Sequence, residues 1–329
     1  MTDRGRWFAP GKMMWIGEYA VLDGAPAVVA AVDRGVSVVR EGDHPTGTVR
    51  TSLGETTWAL DAVPDRPETR LVRAVLGTLT ALGLPAPTGR WFVDSSALSH
   101  DDKLGLGSSG AVAAALVAAW APGLAPTDAL DAALEAHHAF QGRVGSGSDV
   151  IASALGGLVH VQRGESPRRL PAPADLDHVA IATGVAADTR VMVRQMKAFR
   201  DADPDGAAPL FADLTRAATA GVDALADGDA RRWIDAVRAF ADAERALTRA
   251  SGVPIVSAPV DRAMAAAEHA GWTAKPSGAG GGDVVVAFAV DGDRDALDAA
   301  VRSAGLTPIS LALAADGVLF ADAGRSSRT

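Results

Sequence analysis

The sequence predicts a two-domain α+β protein, on three observations. The chain has 329 residues, and domains run to roughly 100–200 residues each. Segments with strand and helix patterns are interleaved along it, without the strand–helix–strand rhythm of a doubly wound parallel sheet. A charged stretch at 163–177, interrupted by Pro167, Pro171 and Pro173, divides the pattern into domains at 1–173 and 174–329.

The elements follow in order. Residues 8–39 read as strand, turn, strand, with valine-rich pieces at 28–32 and 36–39 and breakers at 24–26 and 33–35. Short strand-like pieces occupy 47–60. Over 69–82, Leu71, Val72, Val75, Leu76 and Leu79 recur at helical spacing. Residues 90–94 form a strand, and a polar loop at 95–103 leads into a glycine-rich run. The apolar stretch 111–120 is a buried helix. A second helix covers 127–143, with Thr127 as N-cap and Asp128 in its first turn. A tight turn at 145–149 opens a short helix at 150–155, ended by Gly156 and Gly157, and 158–162 is a strand. Beyond the boundary, 179–183 restarts as a strand. Helices are expected at 189–199, 209–226, 230–250, 260–270 and 294–304, and strands at 284–290, 309–313 and 318–321. Residues 322–329 read as a frayed tail.

Composition narrows the function. With no cysteine, the chain builds no disulfide scaffold, zinc-thiolate site or cysteine nucleophile. That is compatible with a reducing cytoplasm. A formal net charge of −9 argues against a general affinity for nucleic acid. No apolar run reaches the roughly 18 residues of a membrane span, and the first residues lack the apolar core of a signal peptide. An acidic chain that binds phosphates must create positive potential locally, from helix N-termini, a few basic side chains and a metal ion.

Four runs carry chemistry. The first spans 103–110: Lys103, then Gly105, Leu106, Gly107, Ser108, Ser109 and Gly110, directly before the 111–120 helix. Glycines let backbone N–H groups approach an anion, the helix dipole faces it, and serine hydroxyls donate or ligate Mg²⁺. The run is neither a Walker motif nor a dinucleotide fingerprint. The second, 275–283, begins at Lys275, holds Gly278, Ala279 and Gly280, and leads into a strand. The third places Lys12 after a Pro-Gly turn, with Glu18 and Tyr19 close behind. The fourth, 145–149, carries Ser146, Gly147, Ser148 and Asp149.

Together these runs resemble the GHMP kinase superfamily. All three of its motifs are present in the expected order, at 10–24, 103–111 and 275–283. Within it, Gly-Glu-Tyr-Ala-Val-Leu at 17–22 and Ala-His-His-Ala-Phe-Gln-Gly-Arg-Val-Gly-Ser-Gly-Ser-Asp at 136–149 are similar to the phosphomevalonate kinase branch. The stretch 183–189, Thr-Gly-Val-Ala-Ala-Asp-Thr, departs from that branch: it lacks the lysine often found there and carries Asp188. Arg143, Arg190, Arg194 and Lys197 are the candidate replacements.

The resemblance implies a first domain like ribosomal protein S5 domain 2 and a ferredoxin-like second domain. It implies ATP and Mg²⁺ as cofactors, with the phosphates on 103–110. Asp149 and Lys12 take the catalytic positions, and Ser109 matches a serine that contacts Mg²⁺. The acceptor is expected to be a small anionic molecule held among Lys12, Glu18, Tyr19, Arg143, Ser146, Gly147, Ser148, Gly278, Ala279 and Gly280. The expected protein is a cytoplasmic monomer or homodimer with no nucleic-acid or membrane partner. Mevalonate kinases carry a glutamate ligand eleven residues before the aspartate, where this chain has His138. His137 and His138 are expected to serve in helix packing or polar contacts, since adjacent residues do not share a helix face. The leading reading is phosphorylation of 5-phosphomevalonate. The rivals are a kinase for mevalonate or another small alcohol and a non-catalytic nucleotide or metabolite sensor. Intact Lys12, Ser109 and Asp149 argue against the sensor.

Overall fold

A computed structural model describes residues 5–51, 54–100, 102–103, 105–142 and 145–319. The first half runs β1 (Gly5–Ile16), β2 (Ala27–Glu41), β3 (Thr46–Thr51), β4 (Gly54–Ala59), α1 (Arg70–Ala81), β5 (Arg90–Asp94), β6 (Ser99–His100), β7 (Asp102–Lys103), α2 (Ser108–Trp120), α3 (Pro126–Gln141), α4 (Ser148–Leu155), β8 (Leu158–Val161) and β9 (Arg168–Leu170). The second runs β10 (Leu176–Ala182), α5 (Thr189–Ala202), α6 (Pro204–Ala226), α7 (Ala230–Ser251), α8 (Ala258–His269), β11 (Thr273–Pro276), β12 (Val284–Val290), α9 (Arg294–Ser303) and β13 (Thr307–Ile309).

The first sheet has the order β4-β3-β5-β2-β8-β9, with β1 also on β2. Its organising element is β2. It pairs with β1 along most of its length, with β8 through Ala27–Ala30 and with β5 through Ser37–Glu41. The breaker expected at 33–35 is instead a bulge. The register jumps from Gly11↔Val32 to Pro10↔Gly35, leaving Asp33 and Arg34 outside the ladder. Asp33 turns outward to pair with the main chain of Ala312. The second sheet, in the order β11-β12-β10-β13, is wholly antiparallel and has the ferredoxin-like strand order.

One hydrophobic core runs through both sheets. Trp15 of β1 meets Trp233 of α7 at 5.6 Å and Phe288 of β12 at 4.9 Å, edge-on. All three are completely or almost completely buried. A smaller cluster, with Val260, Met264, Trp272, Leu297 and Val301, fills the outer face of the second sheet under α8 and α9. Among the described residues, no helix is long and apolar enough to cross a membrane.

Several boundaries differ from the sequence expectation. Helix α2 opens at Ser108 rather than after Gly110, and α3 opens at Pro126, with Ala125 as N-cap, not Thr127. Proline's fixed φ suits the first helical position. Helix α6 starts at Pro204, where Asp203 caps Gly206 N–H, so Pro209 lies inside it. Residues there are exposed, and water can serve the carbonyl that Pro209 leaves unpaired. Strand β11 was not expected, because the glycine run masked it. The strand expected at 318–321 is a turn at Val318 and Leu319, whose N–H groups donate to Ser153 and Ala154. Residues 320–321 and the tail at 322–329 lie outside the described residues.

Candidate active site

The glycine-rich run acts through its main chain. Gly107 has φ of +73°, which glycine adopts without strain, and it opens α2. Leu106 was expected among the phosphate contacts, but its side chain is buried in the core. Its carbonyl accepts from Lys12 N–H at 2.8 Å, which ties the run to β1. Helix α2 is apolar behind its first turn, so its N-terminus is fixed by burial while its first N–H groups remain free of helical partners. Lys103 places its main chain opposite Ser99 in the β6–β7 ladder.

Asp149 is the second residue of α4, after Gly147 at φ +71°. Its Oδ1 accepts from Val150 N–H at 3.0 Å, and its Oδ2 lies 3.3 Å from Nε2 of His137. The same Nε2 lies 3.0 Å from Ser109 Oγ. His137 therefore joins α3 to the start of α2 and the start of α4. Burial favours its neutral ring, aided by His138 and opposed by Asp149. With the proton assigned to Nε2, the ring donates toward both oxygens. His138 faces elsewhere: a Cβ on Gly147 would sit 3.6 Å from its Nε2. The two histidines flank the 145–149 turn from different sides, as adjacent helix positions must.

Packing brings these pieces into contact. A Cβ on Gly107 would lie 2.7 Å from Lys12 Cγ and 3.3 Å from Asp149 Cβ, and one on Gly110 would lie 2.7 Å from Asp149 Cγ. Lys12 is half-buried. Burial lowers its ammonium pKa, and Lys275 lowers it further, while Asp149, Glu18 and Asp283 push it back up. One lysine thus faces three carboxylates. A polyphosphate entering here would bring still more negative charge. A hard divalent cation fits that need, and the hydroxyl of Ser109 and the nearby carboxylates are oxygen donors of the type Mg²⁺ takes. Among the described residues no group of three or more His, Cys, Asp or Glu is placed to hold a metal. Such an ion would rest mainly on phosphate oxygens.

The 275–283 run sits against this centre. A Cβ on Gly278 would be 3.9 Å from Lys12 Nζ. Gly280 packs so closely on Ile255 that a Cβ would lie 2.5 Å from its carbonyl oxygen. Asp283 approaches the first run: its Oδ2 would be 2.8 Å from a Cβ on Gly105, and its Oδ1 accepts from Ala187 N–H at 3.1 Å. Ser277 hydrogen-bonds both Met14 N–H and Met14 carbonyl.

Two residues expected to face the acceptor are committed to the protein. Glu18 is buried, ion-paired with Lys275 and bonded to Gly278 N–H at 3.2 Å. The Tyr19 hydroxyl donates to the Ala279 carbonyl. Ser146 Oγ donates to Ser148 Oγ at 3.0 Å inside the 145–149 turn. Arg143 lies outside the described residues. Lys197 pairs with Asp201, and Asp188 caps α5 through Arg190 and Val191 N–H. His137 makes the polar contacts expected of it, with Ser109 and Asp149. Sequence reasoning passed over Lys275, Asp283 and Glu244 as functional positions, although Lys275 and Asp283 bound the 275–283 glycine run.

The fold and the four converging runs fit a small-molecule kinase class. The chain belongs to the GHMP kinases: the family's N-terminal domain matches residues 72–157 and its C-terminal domain residues 222–305. Among curated relatives, a phosphomevalonate kinase of a Streptomyces species is 31% identical, covering 94% of this chain and 97% of its own. A mevalonate kinase of Aeropyrum pernix is 30% identical over 70% of this chain and 74% of its own. Among solved structures, Streptococcus pneumoniae phosphomevalonate kinase in complex with phosphomevalonate and AMPPNP superposes with a TM-score of 0.78. It is 18% identical, with 94% of this chain and 99% of that one covered.

Proposed function

We propose that this chain transfers the γ-phosphoryl group of ATP to 5-phosphomevalonate, giving 5-diphosphomevalonate, in the mevalonate route to isoprenoids. The observation that carries the reading is the convergence of Lys12, Asp149 and the N-terminus of α2 within van der Waals reach of Gly107 and Gly110. Similarity to the Streptomyces enzyme along nearly the whole chain supports the acceptor. In this reading residues 1–173 form the ATP-binding domain and 174–329 complete the acceptor site, in a cytoplasmic monomer or homodimer.

Phosphoryl transfer is mostly positioning and charge stabilisation. The main-chain N–H groups at 105–110 cradle the phosphates. Ser109 would help to hold Mg²⁺, whose charge would neutralise the triphosphate. Asp149 orients the acceptor oxygen and takes its proton where the acceptor is an alcohol; an acceptor phosphate is already anionic, and Asp149 then orients it. Lys12 offsets charge shared between acceptor and γ-phosphoryl. His137 holds Asp149 and Ser109 in register. Ser146, Gly147, Ser148, Gly278, Ala279 and Gly280 border the acceptor.

A second reading, mevalonate as acceptor, is favoured by the 183–189 stretch. It carries no lysine, and Asp188 there caps α5. An ATP-consumption screen against 5-phosphomevalonate, mevalonate, homoserine and neutral sugars decides. Preferred turnover of 5-phosphomevalonate is the expected result. Preference for mevalonate selects the second reading, and preference for neutral sugars rejects both.

A further inference from the structure

Behind the glycine runs lies a group of buried ionisable side chains that the proposed chemistry does not use. Lys275, on β11, is fully buried. Its Nζ donates to Glu18 Oε1 and to the Pro276 carbonyl, and it lies 5.3 Å from the centroid of the Phe240 ring. Glu244, on α7, is also fully buried, and among the described residues neither of its carboxyl oxygens has a hydrogen-bond partner. The three residues come from the segment after β1, from β11 and from α7, so the group joins both sheets.

We propose that Glu18, Lys275 and Glu244 form a charge-balanced internal cluster that positions the 275–283 glycine run and Lys12 for phosphoryl transfer. The inference rests on the reading of this site as a phosphoryl-transfer centre and assigns positioning residues to it.

The charge balance follows from burial. Two ionised carboxylates beside one ammonium would leave a net negative charge away from water, which is strongly unfavourable. Burial holds the Glu244 carboxyl well above the usual range, reinforced by Glu18 and opposed by Lys275 and Arg245. The cluster is therefore the Glu18–Lys275 ion pair beside a neutral Glu244. Its hold on the loop is direct: Glu18 Oε1 accepts from Gly278 N–H, and the neighbouring Tyr19 hydroxyl fixes the Ala279 carbonyl. Its effect on Lys12 is electrostatic. Of the charges facing Lys12, Glu18, Asp149 and Asp283 favour its ammonium and Lys275 opposes it. With the pair intact, Glu18 and Lys275 offset one another there. Removing either alone tips the balance, in opposite directions.

The test is the pH profile of kcat/KM for E18Q, K275M and the E18Q/K275M double variant. It is joined by hydrogen exchange of residues 277–283 in the protein without ligands. A step that needs protonated Lys12 is lost as pH rises through its pKa. E18Q should move that alkaline limb down by about one pH unit and K275M up by a similar amount, the low end of what a nearby charge does. The double variant should return it to the wild-type position. Limbs that stay in place, or move together, would overturn the proposal, because a merely structural role slows turnover without opposite shifts. Should the single variants fail to fold, the double variant decides: with no stranded charge it must be more stable than either single, and equal or lower stability also overturns the proposal. Exchange at 277–283 should quicken at least tenfold in K275M, and no change there refutes the loop-holding role. The exchange readout needs no substrate, so it stands even if every acceptor in the screen fails.

Discussion

Replacing Gly110 by alanine separates a geometric requirement from a helical preference. Gly110 lies in the first turn of α2 and is buried. Intrinsic propensity alone favours alanine there by about 0.8–1 kcal/mol. The structure opposes it. A Cβ would stand 2.7 Å from Asp149 Cγ and 2.8 Å from the Asp149 carbonyl carbon. Ordinary contact begins at 3.4 Å, so Asp149 or α2 must retreat by roughly 0.7 Å. Because one neighbour is main chain, a rotamer change cannot relieve the clash. Overpacking costs about 1–3 kcal/mol, which cancels or exceeds the propensity gain. A displacement approaching 1 Å at a reacting group lowers turnover by as much as about 10²-fold. Steady-state kinetics and urea unfolding should therefore show kcat reduced about 10- to 100-fold, with stability unchanged or lower by up to about 2 kcal/mol. Gly77→Ala is the control: it is exposed within α1, nothing lies within 4 Å of the added Cβ, and it should stabilise by about 1 kcal/mol with normal kcat. A Gly110→Ala protein that is more stable, like the control, and turns over normally would refute the contact with Asp149.

Three further outcomes are expected. Asp149→Asn should lower kcat by about 10²–10⁴-fold while a nucleotide-binding titration stays near wild type; near-normal kcat in the folded variant would remove Asp149 from the chemistry. Glu244→Gln should stabilise the protein increasingly as pH rises. A carboxyl whose folded pKa is raised contributes its stability fully below the unfolded value, near 4.5, and loses it as pH climbs toward the folded one. Urea midpoints of variant and wild type at pH 5 and pH 9 test the sign, and a gap that narrows with pH contradicts it. Trp233→Ala removes a fully buried ring in contact with Trp15 and Phe288, and should cost about 3–5 kcal/mol in chemical denaturation.

What the sequence disclosed, and what it hid, follows from the range of the interactions. The α2 helix and strand β12 were legible because each is continuously apolar with a clear turn before it. Lys12, Asp149 and the glycine runs were legible as motifs, since each packs its signal into a few consecutive residues. The bulge in β2 was not, because Asp33 and Arg34 read as turn residues until Ala312, far along the chain, supplies a partner for Asp33. Pro209 read as a helix start because proline is common there, whereas the true start is set by the Asp203 cap. His137 gave no local sign of its position between Ser109 and Asp149, which depends on how α3 packs across two other helices. Glu244 was hidden most fully. On an amphipathic helix rich in charge, one more glutamate reads as solvated, and only the tertiary packing of α7 buries it.

The meeting of Trp15, Trp233 and Phe288 places a ring from the first sheet inside the packing of the second. Such a junction resists hinge-like separation, because opening it would wet three large aromatic surfaces at once. The two sheets are held together through this junction, and variation is left to segments outside it, such as 183–189. Within this architecture, loop residues can diverge while the frame stays as it is.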